Sequence, residues 1–135
     1  MMTIKVLLLG AQGQVGSCLR QQALSGWQVL AVDRDELDIC DRAAVLRTVG
    51  QWQPQVIINA AAHTAVDKAE SEIDASYAIN RDGPAYLAEA AQQVGAILLH
   101  ISTDYVFAGD KDGLYVESDA VAPQGVYGAS KLAGE

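Results

Sequence analysis

Four short apolar runs punctuate the chain, at Ile4–Leu9 and at residues 29–32, 56–60 and 96–101. Each has the length of a strand. Between them apolar residues return at helical spacing, and this alternation predicts βαβ units around a parallel sheet. After the first run, Val15, Leu19 and Ala23 recur at i, i+4 and i+8. They predict a helix of about three turns packed on the sheet, with Gly26 as its stop. Asp41 is a candidate N-cap for a helix Arg42–Trp52, and Pro54 forbids its extension. The third run is apolar except for Asn59, as in a central strand whose polar groups gather at its C-terminal end. Residues 75–94 predict one long helix with Ala78, Leu87, Ala88 and Ala91 on its apolar side and Gly95 as its stop. Pro84 lies inside it and marks a bend or a break. Residues 102–125 read as irregular, and Val126 onward as helix.

The fold class expected is therefore α/β, a Rossmann-type doubly wound parallel sheet. A length of 135 residues fits one domain. Half the residues are hydrophobic and 19% are charged, which argues for a packed core and against disorder. Nine Lys and Arg against seventeen Asp and Glu give a net charge of −8. With no basic stripe, the chain repels a phosphate backbone, so no nucleic acid partner is expected. No apolar run approaches the roughly 20 residues that span a bilayer. Met1, Met2 and Thr3 lead straight into the first strand without a leader pattern, and the expectation is a cytoplasmic protein with no membrane partner. Cys18 and Cys40 form no CxxC pair and have no His at ligand spacing, so they read as reduced thiols, and no metal site is expected.

Chemistry enters at the ends of the strands. Gly10, Gly13 and Gly16 form G-x-x-G-x-x-G between a strand and a helix. There Gly10 can take the tight turn, Gly13 can admit a pyrophosphate and Gly16 can let the helix close on the strand, with the helix N-terminus facing the anion. Asp33 ends the second strand, seventeen residues beyond Gly16, where an acid accepts hydrogen bonds from the adenosine ribose and favours NAD. Arg34 can pair with a 2′-phosphate, so NADP stays open, beside the plainer reading of a solvated arginine. Asp38 and Ile39 can reach an adenine, although a helix-entry turn accounts for the same acids.

Tyr127 and Lys131 are Y-x-x-x-K, which on a helix places phenol and ammonium on one face. A neighbouring cation favours the tyrosinate and prepares Tyr127 to exchange a proton. Thr103 and Asp104 leave the fourth strand at its C-terminal end, where open α/β sheets bind ligands. A hydroxyl there can hold a carbonyl, or can simply make an ordinary Ser/Thr turn.

Together Gly10–Gly16, Thr103, Tyr127 and Lys131 resemble the extended short-chain dehydrogenase/reductase family. Residues 59–70, 102–107 and 126–135 narrow the resemblance to its reductases of 4-keto nucleotide sugars. The resemblance implies NADPH or NADH as cofactor, with Gly13, Gln14 and Val15 on the phosphates and Asp33, Asp38 and Ile39 at the adenosine end. Ala62, His63 and Thr64 lie beside the cofactor. Thr103 and Asp104 bind the sugar, Thr103 polarises the C4 carbonyl, Tyr127 donates the proton, and Lys131 tunes Tyr127 and holds the nicotinamide ribose. It further implies a nucleotide-sugar substrate and, for the full-length protein, a homodimer. Magnesium, associated with some members through residues of a C-terminal half, finds no support in this segment.

The helix from Val126 reaches Glu135 without a cap, a glycine stop or a following strand. Residues 1–135 are accordingly expected to be an incomplete NAD(P)-binding domain, truncated after the helix carrying Tyr127 and Lys131, with the C-terminal substrate-binding lobe absent. Two other readings stay open. One is a non-catalytic nucleotide-binding regulatory subunit of the same fold, against which the intact Thr103, Tyr127 and Lys131 argue. The other is a different 4-keto nucleotide-sugar reductase or epimerase. Of the remaining residues, His63 reads equally as a loop histidine. His100, Trp27 and Trp52 read as packing, Tyr105 and Phe107 as supports beneath the site, and Asn80 as a fixer of local backbone. Asp67, Lys68 and Glu70 read as a solvated, charge-paired helix start.

Overall fold

The computed structural model describes residues 2–135; Met1, where the reading of the chain's start begins, lies outside the described residues. The strands are β1 (Ile4–Leu9), β2 (Trp27–Val32), β3 (Val56–Asn59) and β4 (Ile97–His100). They form one parallel sheet in the order β2-β1-β3-β4. Its register pairs Leu9 with Val32 and Asn59, and Asn59 with His100. All four carboxyl ends therefore fall on one edge, and the chain leaves the sheet there through Gly10, Asp33, Ala60 and Ile101. That edge is where the helices of an open α/β sheet leave a crevice for a ligand.

Alternation along each strand divides the core. Leu7, Leu9 and Ile57 face helices α2 (Arg42–Trp52) and α5 (Gly83–Val94), packing against Val45, Val49, Leu87, Ala90 and Ala91. Val6, Leu8 and Ile58 face the other way, toward Leu19 of α1 (Gln14–Gln21). Burying each of the fully covered Val, Leu and Ile side chains stabilises the fold by about 1.5–3 kcal/mol. Trp27 and Trp52 both pack against the core, as expected, and do so at opposite faces.

Helix α2 keeps its predicted bounds, and the Asp41 carboxylate accepts a hydrogen bond from the Ala44 N–H at 3.1 Å. Three expectations need correction. Helix α1 is a turn shorter than its apolar spacing suggests, and Val15 is 45% exposed because Gly16, not Val15, faces the sheet. The long helix over 75–94 is interrupted. A short α3 (Val66–Ala69) and α4 (Ile73–Tyr77) lead into a π-helical turn, Ala78–Asp82, before α5. There the Gly83 N–H donates to the Ala78 carbonyl five residues back. Pro84 follows in the first turn of α5, where its missing N–H costs least. Ala88 is exposed, and Pro84, Leu87, Ala90 and Ala91 form the buried side instead. The last helix is α6 (Val126–Gly134).

Candidate active site

The glycine turn is shaped by contacts that exclude a side chain. Gly10 has φ +77°, and a Cβ there would lie 2.6 Å from the Ala60 and Ala61 backbone. A Cβ at residue 16 would lie 1.9 Å from the Gly10 carbonyl oxygen. Helix α1 thus closes directly on the turn, and Gly13 caps it without a side chain of its own. Beside the turn opens a cleft of about 330 Å³ bordered by Gly10, Gly13, Asp33, Arg34, Asp38, Ile39, Ala62 and His63. Seven of the sequence-derived positions meet here: Gly10, Gly13, Asp33, Asp38, Ile39, Ala62 and His63. Gln14 and Val15 lie outside it, with Cys18, around a shallower hollow on the outer side of α1. Gly16 is buried beneath the turn, and Thr64 is exposed next to His63.

The acids at the far end of the cleft are anchored differently. Asp33 follows directly on β2, and Arg34 approaches Asp38 at 3.9 Å with most of its side chain in solvent. One Asp38 oxygen accepts from the Cys40 N–H at 2.9 Å. That carboxylate, together with burial as the larger cause, pushes the Cys40 thiol up to about 11. Ile39 is buried, and it meets the spot where a Cβ on Gly83 would stand.

The floor of the site is a hydrogen-bond network around two asparagines. Asn59 closes β3: its Oδ1 accepts from the Ala61 N–H at 3.1 Å while its amide contacts His100 Nδ1 at 3.2 Å. Asn80, in the π-helical turn, accepts from the His63 N–H at 2.8 Å and donates to the His63 carbonyl at 3.1 Å and to Ser130 Oγ at 3.0 Å. Ser130 in turn donates to the Tyr127 carbonyl at 2.9 Å. Both Asn80 and Ser130 are buried. Asn80 does fix backbone, and it fixes two elements at once: the 62–64 loop and α6. The His63 ring adds a 2.9 Å contact to Glu72. That hydrogen bond, with Lys68 beyond it, holds the Glu72 carboxyl below its ordinary range.

Helix α6 lies across the strand exit at residues 101–105. Lys131 is 2% exposed and its ammonium donates to the Ile101 carbonyl at 2.6 Å. Burial lowers its pKa below the ordinary lysine value, partly opposed by Glu135. The Tyr127 ring meets Tyr105 edge-on, with centroids 5.5 Å apart. Close approach is possible because a Cβ at Gly128 would strike the Tyr105 carbonyl oxygen and one at Gly134 the Asn80 carbonyl oxygen, at 2.2 and 2.0 Å. Thr103 lies in the chain between Ile101 and Tyr105, the two residues these contacts engage. Its hydroxyl accepts from the Tyr105 N–H at 3.2 Å and lies 3.4 Å from an Asp104 oxygen, so it also makes the Ser/Thr turn. Asp104, Tyr105, Tyr127 and Gly128 border a second cavity of about 430 Å³. Phe107 stacks on Tyr115 at 4.5 Å on its rim.

One reading of the charges around residue 70 is corrected. Lys68 pairs with Glu72 at 3.5 Å, whereas Glu70 accepts from the Val126 N–H at 2.8 Å. Sequence reasoning missed this contact and the reach of Asn59 and Asn80. A buried-looking asparagine at the end of an apolar run was the one available signal. Among the described residues no group of three or more side chains is placed to hold a metal ion, and no helix is long and apolar enough to cross a membrane.

Residues 4–135 match the family described as RmlD substrate binding domain. A dTDP-4-dehydrorhamnose reductase of Aggregatibacter actinomycetemcomitans is 46% identical over 133 residues, covering 97% of this chain and 45% of its own length. The crystal structure of a dTDP-4-dehydrorhamnose reductase from Clostridium acetobutylicum superposes with a TM-score of 0.95 at 45% identity, over 97% of this chain and 47% of that one. That of a dTDP-4-dehydrorhamnose reductase from Bacillus anthracis, in complex with NADP, gives 0.96 at 42% identity, over 98% and 48%. The chain spans a little under half the length of the relatives it matches.

Proposed function

The chain belongs to the RmlD substrate binding domain family, and from that premise we propose that its protein reduces the C4 keto group of dTDP-4-dehydro-L-rhamnose to give dTDP-L-rhamnose, with NADPH or NADH as reductant. In this reading residues 1–135 form the dinucleotide-binding domain, the remainder of a longer polypeptide supplies the lobe that grips the nucleotide, and the protein works in the cytoplasm. The observation that carries the proposal is the seating of α6: Lys131 on the Ile101 carbonyl and Tyr127 against Tyr105 hold the helix to the segment that carries Thr103.

The residues present fit a dinucleotide. The cleft runs from a glycine turn whose contacts leave no room for side chains at Gly10 and Gly16 to the carboxylates of Asp33 and Asp38. Backbone N–H groups at the start of α1, with Gly13, Gln14 and Val15, would hold the phosphates, and Asp33, Asp38 and Ile39 the adenosine. Ala62, His63 and Thr64 would flank the nicotinamide end. When bound, the cofactor supplies the hydride that reduces C4. Thr103 then holds the carbonyl oxygen, Asp104 orients the sugar, and Tyr127 gives its hydroxyl proton to that oxygen as the C–O π bond is broken. Lys131, seated on the Ile101 carbonyl, would hold the nicotinamide ribose when the cofactor is bound. Donors already aimed at the developing alkoxide need no reorganisation during the reaction.

The test is NADPH consumption by the full-length protein supplied with dTDP-4-dehydro-L-rhamnose. Replacing Tyr127 by Phe removes the proton donor and is expected to lower turnover by about 10²-fold or more. Turnover undiminished in Tyr127→Phe would overturn the mechanism, and wild-type protein that binds NADPH without turning over would favour a regulatory role instead.

A further inference from the structure

Helix α6 presents Tyr127 from its first turn, yet it opens without a cap of its own. Gly125 at the N-cap has no side chain, and no acidic residue lies in the first turn. The acceptor comes from another element. Glu70, at the C-terminal end of α3, takes the Val126 N–H on its Oε1 at 2.8 Å, across 56 residues of chain. A Cβ at residue 125 would stand 2.9 Å from that same oxygen, so glycine keeps the approach open. A carboxylate in this position satisfies an orphan N–H and sits favourably at the positive end of the helix. None of these contacts borders the 330 Å³ cleft, whereas Gly125, Tyr127 and Val66 of α3 all border the 430 Å³ cavity.

We infer that Glu70 is a positioning residue for the reductase reaction. It pins the first turn of α6 to α3 and so sets the direction of the Tyr127 hydroxyl without touching the reacting atoms. The inference rests on the reductase reading for its chemistry and on the cap geometry for its structure. Proton transfer demands close alignment, and a small displacement of the donor is enough to slow it while leaving intact the cofactor cleft, which neither Glu70 nor Val126 borders.

In the full-length protein, Glu70→Ala is expected to lower kcat about tenfold while the Kd for NADPH, titrated without substrate, stays within about twofold of wild type. Glu70→Gln, whose amide oxygen can accept the same N–H, is expected to recover most of kcat. Wild-type kcat in Glu70→Ala would overturn the inference, as would a Glu70→Gln variant no better than Glu70→Ala, or a loss of NADPH affinity in parallel with kcat. If the wild type itself showed no turnover, the reductase reading would fall, and hydrogen exchange at the Val126 amide would decide the cap alone. Exchange faster in Glu70→Ala but not in Glu70→Gln supports it; exchange unchanged in Glu70→Ala overturns it.

Discussion

A methyl group added to Gly16 would stand 1.9 Å from the Gly10 carbonyl oxygen, a contact that only a backbone shift can relieve. Gly50, in α2, has nothing within 4 Å of the same added atom. Gly16→Ala is therefore expected to lose about 1–3 kcal/mol or more through overpacking. Gly50→Ala should gain about 0.5–1 kcal/mol by stiffening the unfolded chain. Urea denaturation of both variants against wild type checks the pair, and a Gly16→Ala protein as stable as wild type would refute the close helix–strand contact. His100 makes a prediction about pH. Asn59 Oδ1 is engaged by the Ala61 N–H, so the Asn59 amide donates to His100 Nδ1 and the ring carries its proton on Nε2. Burial first, and Lys131 second, lower its pKa below the ordinary 6.5. Between the lowered value and 6.5 the unfolded chain binds more protons than the folded one. The stability that neutral His100 permits is thus fully present above 6.5 and is lost as pH falls through the folded-state value. His100→Gln should flatten the pH–stability curve in that window, and identical curves for variant and wild type would sink the assignment.

At the scale of elements, the site depends on how two helices meet the loops between them. Asn80→Ala would leave the His63 N–H and carbonyl and the Ser130 hydroxyl without their buried partner, at about 1–3 kcal/mol for each group left unsatisfied. Because both the 62–64 loop and α6 lose their clamp, lower thermal stability should come with weaker NADPH binding. Calorimetric melting and a cofactor titration test this together, and intact affinity would show that the loop holds itself. The same elements show what a sequence can disclose. Helix α2 was legible because Asp41 offers a local cap and Pro54 a local stop. The phase of α5 was not, since a run rich in alanine presents nearly the same apolar face in several rotations and only the neighbours decide that Ala90 rather than Ala88 goes inside. Pro84 announced a discontinuity, but the form it takes, a π-helical turn placing Asn80 between His63 and Ser130, is set by packing. Glu70 and Val126 lie too far apart in the chain for any periodicity to connect them. The glycine turn, Asp33, Thr103 and the Tyr127–Lys131 pair were legible as motifs because each is local to one strand exit or one helix turn.

For the whole molecule, the parallel sheet follows from four apolar runs separated by helices, whereas strand order and the covering of each face do not. The run containing β4 is largely apolar, yet only Ala96 and Leu98 pack against the core that α2 and α5 share, and Ile97 and Leu99 are 62% and 52% exposed. β4 is also an edge of the described sheet, with its outer backbone groups unpaired to any strand. An apolar edge of this kind is a template for association, and the net charge of −8 opposes it. The two forces respond oppositely to salt, since screening weakens the repulsion between chains and leaves apolar attraction in place. Self-association of the 135-residue chain should therefore rise with both concentration and salt, as sedimentation velocity can measure. Replacing Ile97 and Leu99 by Lys would reduce the net charge from −8 to −6, which by itself favours association. If the double variant nevertheless associates less than wild type at matched salt, the exposed face of β4 is the driver. If it associates as much or more, charge governs the behaviour and the face is inert.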